Sequence, residues 1–592
     1  MAVIDAKEEV VNSPVTSYVP TEGSVGKGWF VAWEEIKFLF TTREGLLGNY
    51  DYAWLLTPDV PPFNRKYKDR VKPFYGIDER IPLLLTLLLG LQHSLAMVGG
   101  VVTPPLLIAG ASGANLNAET VAYLVSASLI LSGIFSFFQI MRFKVFNTGF
   151  YIGTGMISVV GEAFAVVPIA QAYFTGQYEG GRCSTVNGVK QPCPEAYGSF
   201  IGTVAVVMLF QVLISLIKPR TLMKIFPNLV TGMVLLCIGG GLVASGVKSW
   251  AGGSGPCEAG MARPESGFFK LCPNIKAPEP RPWGDPSFIG LGFSVYATIL
   301  LVELFGAPLI RNCSVVAGLL VGAIISAATG FIDSKTITAA PSGTFVWVKT
   351  FPLSVDGSLV LPLLACCITT LVSCLGDVIA TAEVSGIDID GTSGDLDTRV
   401  QGGLTADGIW SVLAALGTCT PLVCFAQNNG VIALTGCASR RAGYACCFFL
   451  LLAGIASKFG ASLVALPPSV IGGMTTFLFT TIVVSGLRIL STVTWNRRNR
   501  FIITAALALG LADLIVPDWL VHLLPTGKGG SLQGFYDGIS VVIRTAYCLV
   551  AIVGVLLNWI IPEENTGDGG LLGSETSNRG AIAGSEPGRK VD

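Results

Sequence analysis

Charged side chains are scarce in this chain of 592 residues: they make up 13% of it, whereas soluble domains carry about 25%. Hydrophobic residues make up 51%, and the mean hydropathy is +0.64. The formal net charge is −1 and no basic domain is present, so nucleic-acid binding has no support. The first 80 residues lack the basic, apolar and small-residue pattern of a signal peptide. This composition indicates an integral membrane protein.

Catalytic and metal-binding patterns are also missing. The chain has only 2 histidines, and we find no nucleophile–base set and no metal-ligand spacing. We therefore expect a protein that is not an enzyme and that holds no cofactor and no metal ion.

Long apolar blocks recur, and several reach about 20 residues, the length of a helix that crosses the hydrocarbon core of a bilayer. They predict an all-α polytopic membrane protein with 14 spans, and internal Gly and Pro predict that some spans are broken or short. The predicted spans are 82–101, 120–141, 150–174, 198–217, 222–247, 287–309, 313–331, 358–383, 403–420, 422–438, 443–460, 462–487, 501–515 and 537–561.

Lys and Arg predict the orientation, because they concentrate in the cytosolic connections of membrane proteins. With the N-terminus in the cytosol, the even-to-odd connections face the cytosol, whereas the first outer connection, 104–119, has no Lys or Arg. Both termini are then cytosolic. The positive residues in those cytosolic connections are Arg142, Lys144, Lys218, Arg220, Lys224, Arg311, Arg440, Arg441, Arg488, Arg497, Arg498 and Arg500.

Four cysteines fall in predicted outer loops, on the oxidising side where disulfides form. Cys183 and Cys193 share one loop, and Cys257 and Cys272 share another. Three alternatives remain open: a local bridge within a loop, a cross-link between the loops, or four free thiols.

Fourteen spans divide into two sets of seven, and an odd number in each half makes the halves inverted in the membrane. Two segments at matching positions begin with Gly-Thr and reach a polar cluster about ten residues later: "GTGMISVVGEAFAV" (153–166) and "GTCTPLVCFAQNNGV" (417–431). Spans 1 and 8 also carry polar residues. This pattern predicts paired broken segments near the midplane, where transporters with inverted repeats bind substrate.

The side-chain amides of Gln427, Asn428 and Asn429 lie within an apolar span. Irregular backbone and free polar groups are tolerated at this depth where they line an enclosed cavity. A Gln amide offers both donors and an acceptor, which match the N–H and C=O groups of a nucleobase edge. A helix predicted to begin after Gly430 would add partial positive charge. In the alternative interpretation, the amides only join neighbouring helices.

Four motifs carry a resemblance to a known family: "QNNGVIALTG" (427–436), "LQHS" (91–94), "LGDVIATAEVSG" (375–386) and "TADGIWSVLAALGT" (405–418). The first matches the complete signature of the nucleobase–ascorbate transporter family. The resemblance covers nearly the whole chain and is strongest to the fungal branch of uric acid–xanthine/proton symporters. It implies transport of purine nucleobases coupled to protons, no cofactor, and a plasma-membrane homodimer.

The resemblance also implies an architecture of two inverted seven-span repeats, with short strands in spans 3 and 10. A substrate-binding core of spans 1–4 and 8–11 would slide like an elevator against a gate of spans 5–7 and 12–14. The implied organisation is a cytosolic segment 1–80, core parts 81–220 and 358–460, gate parts 221–335 and 461–561, and a tail 562–592, whose composition predicts disorder.

Site residues follow from the matched motifs. For substrate binding, the resemblance implies the Gln427 amide, the Ala426 backbone and the Phe164 ring. The other implied positions are Asn428, Gly430 and Thr435 in the signature, Gln92 and His93 in span 1, the carboxylates Asp377, Asp407 and Glu303, and the gate residues Thr545 and Tyr547.

Three positions depart from the family pattern: Ser373, Glu162 and Gly436. Ser373 replaces a purine-binding Glu, Gly436 stands where the fungal transporters usually have Arg, and Glu162 is an additional carboxylate two residues before Phe164. Two alternatives stay open for Glu162. It supplies a ligand acceptor from the opposite wall, with Ser373 as a weaker contact, or it points to the outer vestibule and the site is one carboxylate short.

Several charged groups have two open interpretations. Asp377 either lies on a proton path or accepts hydrogen bonds from backbone N–H groups. His93 either transfers protons or is a hydrogen-bonded packing residue. Glu303 faces either the cavity or a partner helix. Arg544 snorkels or pairs with a carboxylate.

For the whole chain, the alternatives to a purine symporter are a carrier of uracil, ascorbate or other purines, and a sensor or channel on the same scaffold.

Overall fold

The computed structural model describes residues 37–48, 50–63, 74–146, 149–186, 189–217, 219, 221, 227–253, 271–273, 277–387, 395–516, 519–520, 523, 536 and 539–562. Two compact units are present. One contains the described residues up to Tyr50 together with Pro82–Leu84, and the other contains Asp51–Ile81 and the chain from Leu85 onwards. The first unit includes α1 (Arg43–Leu46), which Thr42 caps by accepting a hydrogen bond from the Gly45 N–H.

The larger unit is mostly helical, as the composition predicts. Its helices are α2 (Tyr52–Leu56), α3 (Leu83–Ala109, whose first residues belong to the other unit), α4 (Ala118–Ile140), α5 (Val166–Glu179), α6 (Pro194–Ile214), α7 (Asn228–Trp250), α8 (Pro286–Phe305), α9 (Pro308–Arg311), α10 (Ser314–Ala328), α11 (Ser334–Ala339), α12 (Gly357–Val384), α13 (Asp395–Leu416), α14 (Gln427–Thr435), α15 (Arg440–Ile455), α16 (Ser457–Val464), α17 (Pro468–Ser491), α18 (Arg497–Ile515) and α19 (Ala546–Ile560).

Seven of the described helices are long and apolar enough to cross a membrane alone: α3, α4, α6, α7, α8, α12 and α17. The pair α15 and α16 passes the same test together but bends by 73°, and α10 and α19 are shorter apolar helices. The chain is therefore a multi-pass membrane protein. Every predicted span overlaps a helix or a strand–helix segment, whereas the number of 14 crossings, their inverted symmetry and their orientation stay predictions.

Short strands interrupt the helices and form antiparallel pairs among the described residues. These are β1 (Phe143–Lys144) with β2 (Tyr151–Ile152), β3 (Val160–Glu162) with β8 (Leu422–Cys424), β4 (Thr185–Val186) with β5 (Val189–Lys190), and β6 (Leu271–Cys272) with β7 (Arg281–Pro282). In the β3–β8 pair, Val160 lies opposite Cys424 and Glu162 opposite Leu422. Spans 3 and 10 are thus broken into a strand followed by a short helix, and the two strands meet as predicted.

Small residues allow the closest helix packing. The most extensive helix contact joins α7 to α17. A Cβ atom added to Gly486 would lie 2.8 Å from the Gly232 carbonyl oxygen, and one on Gly472 would lie 2.1 Å from the Trp250 nitrogen. Both distances are too short for a side chain, so glycine permits the backbones to approach, as is typical of membrane helices.

The helices also differ in their partners. α4 packs mainly on α15 and α16, and α6 on α12 and α13; α7 packs on α17 and α19, and α8 on α10 and α17. Contacts between these two sets are fewer, for example those between α12 and α7. The proposed core and gate boundaries remain predictions.

Cys183 and Cys193 form a disulfide, which corrects two of the alternatives left open by the sequence. The bridge closes within one loop because β4 and β5 form a hairpin between the two cysteines, so these thiols are neither free nor linked to the other loop. Cys272 is disulfide-bonded too. Cys257, Lys218, Arg220, Lys224 and the predicted disordered tail beyond Pro562 lie outside the described residues.

Candidate functional site

The β3–β8 pair is a buried strand crossing in a mostly helical protein, and serines supply hydrogen bonds to the strand backbones. On the β3 side, Ser136 accepts from the Val160 N–H at 2.9 Å, and Ser132 donates to the Val160 carbonyl. On the β8 side, Ser411 donates to the Leu422 carbonyl at 2.8 Å and accepts from its N–H at 3.1 Å. Buried strand edges therefore keep their polar groups paired without water.

The Gln427 side chain is positioned directly after this crossing. α14 begins at Gln427, with Ala426 as its N-cap residue, so the predicted helix start after Gly430 is wrong. The helix begins earlier because the backbone N–H of Asn429 already donates to the Ala426 carbonyl, at 3.0 Å. Gln427 is half-buried and Ala426 and Gly430 are exposed, and a Cβ on Gly430 would meet nothing within 4 Å. The half-buried Gln427 thus lies at the positive end of the helix, beside residues that are exposed.

Helix α12 presents a second accessible face. Ser373 and Asp377 are half-buried, Gly376 between them is exposed, and a Cβ on Gly376 would also meet nothing within 4 Å. Ser373 and Asp377 are one helical turn apart and lie on the same face. No described residue donates a hydrogen bond to the Asp377 carboxylate, so the alternative in which backbone N–H groups satisfy it has no support from the described residues.

Hydrogen bonds connect the two helices with accessible faces, α12 and α14. Thr381 of α12 donates to the Asn429 Oδ1 atom at 2.7 Å, and the Asn429 amide donates to the Asp377 carbonyl at 3.5 Å. Thr381 also contacts that carbonyl at 2.7 Å. These bonds fix α14 against α12 next to Gln427. Asn429 therefore joins α14 to α12, whereas Gln427 remains available.

Asn428 points the other way, into the protein. It is fully buried, and its Oδ1 atom lies 3.0 Å from the Nδ1 atom of His93. Gln92 is buried as well and donates to the Pro308 carbonyl at 2.8 Å, while Thr435 donates to the Val431 carbonyl at 2.7 Å. His93 thus serves as a hydrogen-bonded packing residue in this conformation, which leaves its predicted role in proton transfer untested.

Aromatic rings form one wall beside the strand crossing. Phe164 stacks on Phe425, with ring centroids 6.0 Å apart and planes inclined by 11°, and meets Phe479 of α17 edge-on at 5.6 Å. Phe164 is half-buried, while the other two rings are buried. A Cβ on Gly161 would come within 2.7 Å of the Phe425 ring, so a glycine there leaves room for the stack.

The structure corrects the position expected for Glu162 in both sequence alternatives, whereas the prediction that the site is one carboxylate short stays a prediction. The residue is only 1% exposed, and Ser128 and Thr420 bond to its two carboxyl oxygens. It does not reach an open vestibule, and it offers no free oxygen to a ligand in this conformation. The physical reason is that Glu162 belongs to β3, which packs against α4, whereas Phe164 follows the end of the strand and is not held to the direction of the Glu162 side chain.

The other predicted carboxylates lie in different surroundings. Asp407 is fully buried; its Oδ2 accepts from Gln211 at 2.9 Å, while its Oδ1 has no hydrogen-bond partner among the described residues. Glu303 accepts from Ser314 at 2.7 Å. That bond joins α8 to α10, so the described contact of Glu303 is with a partner helix.

The predicted gate residues lie at the start of α19. Thr545 is buried and donates to the Val541 carbonyl at 2.7 Å, and the Tyr547 hydroxyl donates to the Ala165 carbonyl at 2.9 Å. Tyr547 therefore contacts the residue directly after Phe164. Arg544 pairs with Glu179 of α5 at 3.3 Å, which decides between its two sequence alternatives.

The structure thus brings Gln427, Ala426 and Phe164 to the strand crossing, while Glu303 lies elsewhere. Sequence reasoning missed the rings Phe425 and Phe479 and the serines beside β3, whereas the alternative in which the amides join helices already included Asn429. The spacing of Ser128, Ser132 and Ser136 by four residues on α4 could have revealed a polar stripe. No comparable signal marks Phe479.

Comparison with known proteins gives consistent matches. Residues 84–272 and 267–519 match a model described as a permease family. A purine permease of Emericella nidulans is 47% identical over 93% of this chain and 94% of its own length, and a uric acid-xanthine permease of the same fungus is 49% identical over 88% and 89%. The xanthine permease XanQ of Escherichia coli is 30% identical over 82% and 93%.

Proposed function

This chain belongs to the nucleobase–ascorbate transporter family, and from that premise we propose that it carries purine nucleobases across a membrane. Its relatives are permeases and not enzymes. The observation that carries the proposal is the Gln427 amide. It is accessible, it bonds to no described residue, and it follows the strand crossing whose aromatic wall contains Phe164.

This arrangement suits a planar heterocycle. The Gln427 amide offers two donors and an acceptor to the N–H and C=O groups of an oxidised purine. The Phe164 ring contributes an apolar surface next to the ligand, and the exposed Ala426 backbone lies beside the amide. Two glycines, Gly376 of α12 and Gly430 of α14, leave space where other residues would project a side chain.

Xanthine and uric acid are the proposed substrates, because the fungal relatives include a uric acid-xanthine permease. One observation favours a second candidate, a carrier with a different nucleobase preference. Ser373 is a neutral hydroxyl on the accessible face of α12, where a carboxylate would make a stronger, charge-assisted bond to a purine N–H. A site without that carboxylate would bind oxidised purines more weakly.

The proposed cycle couples purine uptake to protons in a plasma-membrane homodimer with cytosolic termini. Asp377 is the proposed coupling residue, since it is accessible from the ligand face and its carboxylate has no hydrogen-bond donor among the described residues. Asp407 supports it from the buried side. The helix set around α4, α6, α12 and α13 would move as the elevator against the set around α7, α8 and α17.

Uptake of radiolabelled xanthine, uric acid, uracil and ascorbate into cells expressing the chain tests the proposal. We expect saturable, ionophore-sensitive uptake of the purines, and no such uptake in cells carrying Gln427→Ala at an equal membrane level. Preferential uracil or ascorbate transport would favour the second candidate. Absence of uptake for all four compounds would contradict the proposed function.

A further inference from the structure

Glu162 occupies an enclosed polar cluster that the proposed binding site does not use. Its carboxyl oxygens contact Ser128 of α4 and Thr420 of the segment before β8. It forms no salt bridge with a described residue. The titratable groups beside it are the thiol of Cys419 and the hydroxyl of Tyr197, which are neutral in their ordinary protonation states. A carboxylate here would be a buried anion without a cation.

The number of available hydroxyl protons indicates whether the neutral or the ionised side chain of Glu162 fits this polar cluster. Ser128 has one hydroxyl proton. Its Oγ atom lies 2.8 Å from the Leu124 carbonyl oxygen and also contacts Glu162 Oε1. Its third neighbour, the Cys419 sulfur at 3.5 Å, is a weak partner. If Glu162 carries a proton on Oε1, it donates to Ser128, and Ser128 donates to Leu124. In the ionised form, Glu162 Oε1 and the Leu124 carbonyl oxygen share the single Ser128 proton, and the other described side-chain donors to the carboxylate are the Thr420 hydroxyl and the weakly donating Cys419 thiol.

The position of Glu162 links this proton to the ligand. Glu162 ends β3, two residues before Phe164, and lies opposite Leu422 of β8, five residues before Gln427. The Ala163 N–H also donates to the Pro421 carbonyl at 2.8 Å. Any displacement of the Glu162 side chain therefore acts on the two strands that carry the aromatic ring and the amide.

We propose that Glu162 is a proton-binding residue of the transport cycle, protonated in the conformation described here, in addition to Asp377. This inference rests on the proposed function. When the Glu162 O–H bond breaks, the proton passes to a water molecule and the electron pair remains on the carboxylate. The resulting anion draws the Ser128 hydroxyl proton away from the Leu124 carbonyl oxygen and has no neighbouring cation among the described residues, so it requires water or movement of β3, which disturbs the Phe164 and Gln427 positions.

Glu162→Gln is the sharpest variant, because its amide can donate to Ser128 and accept from Thr420 as the neutral acid does, but cannot ionise. Initial xanthine uptake is measured from acidic to alkaline external pH, with Asp377 intact. Wild-type uptake is expected to fall as pH rises, because the neutral form is lost. Glu162→Gln should keep most of the acidic-pH rate and show a shallower alkaline decline, because only the Asp377-dependent part of the decline remains.

Ser128→Ala provides a second measurement that does not require a Glu162 variant to fold. Removal of the hydroxyl takes away a hydrogen-bond donor to the ionised form and so disfavours that form; the alkaline decline should therefore move to higher pH by at least about half a pH unit, a threefold change in the ionisation constant. Ser126→Ala, on the same helix, is the control and should leave the decline in place.

Two results would overturn the inference. One is a Glu162→Gln profile that superimposes on the wild type, and the other is an unshifted decline in Ser128→Ala. Failure of the proposed function has a different signature: wild-type xanthine uptake is then absent or insensitive to a protonophore.

Discussion

Replacement of Gln427 by Ala isolates one hydrogen-bonding group without disturbing the fold. The side chain is half-buried and bonds to no described residue, so its removal should leave the stability of the protein unchanged. Two hydrogen bonds to a purine, each contributing about 1–1.5 kcal/mol, would be lost. The loss of about 2–3 kcal/mol corresponds to a roughly 30- to 150-fold weaker affinity.

The assay is competition of unlabelled xanthine against radiolabelled xanthine in membranes with matched protein amounts. Asn428→Ala is the control, because the neighbouring amide is buried and bonds to His93. That variant should lose about 1–3 kcal/mol of folding stability and melt at a lower temperature. The assignment of the ligand amide is refuted if Gln427→Ala, at a normal membrane level, binds every tested purine with wild-type affinity.

Three further predictions concern other parts of the chain. Asp377→Asn should retain purine binding but abolish accumulation against a gradient, measured as the internal-to-external xanthine ratio; an unchanged pH dependence of accumulation would contradict the coupling role. Gly161→Ala should displace the Phe425 ring and weaken xanthine affinity at least about tenfold, a loss of about 1.4 kcal/mol, whereas unchanged affinity would show that the aromatic wall is not part of the site. Cys193→Ser removes the bridge to Cys183 and should lower the melting temperature without altering affinity, as measured by thermal unfolding; equal melting temperatures would contradict a stabilising role.

The sequence predicted the membrane setting and the location of the strand crossing. Apolar length determines where a helix can cross, so α4 (Ala118–Ile140) lies within three residues of its predicted bounds, 120–141, at each end. The paired Gly-Thr segments also led to the two broken spans. Helix ends depend on local backbone geometry, and α14 starts at Gln427, three residues before the predicted Gly430 boundary, without a side-chain cap.

Side-chain direction was much harder to predict. The three consecutive positions Gln427, Asn428 and Asn429 have similar chemistry, but Gln427 is half-buried beside exposed residues, whereas Asn428 and Asn429 bond to His93 and Thr381, because successive helical residues are rotated by about 100°. Glu162 shows the same limit, since its burial depends on Ser128 and Thr420, which are distant in the chain. Phe479 comes from α17 and has no local motif that would connect it to Phe164.

The most direct measurement of the central claim uses the purified chain in liposomes that contain a pH-sensitive dye. External xanthine is added without an imposed pH gradient, and internal pH and xanthine uptake are recorded together. The proposed mechanism predicts xanthine entry with simultaneous internal acidification, and loss of both signals in Gln427→Ala. Xanthine entry without acidification would contradict proton coupling, and the absence of purine entry would contradict the transport function itself.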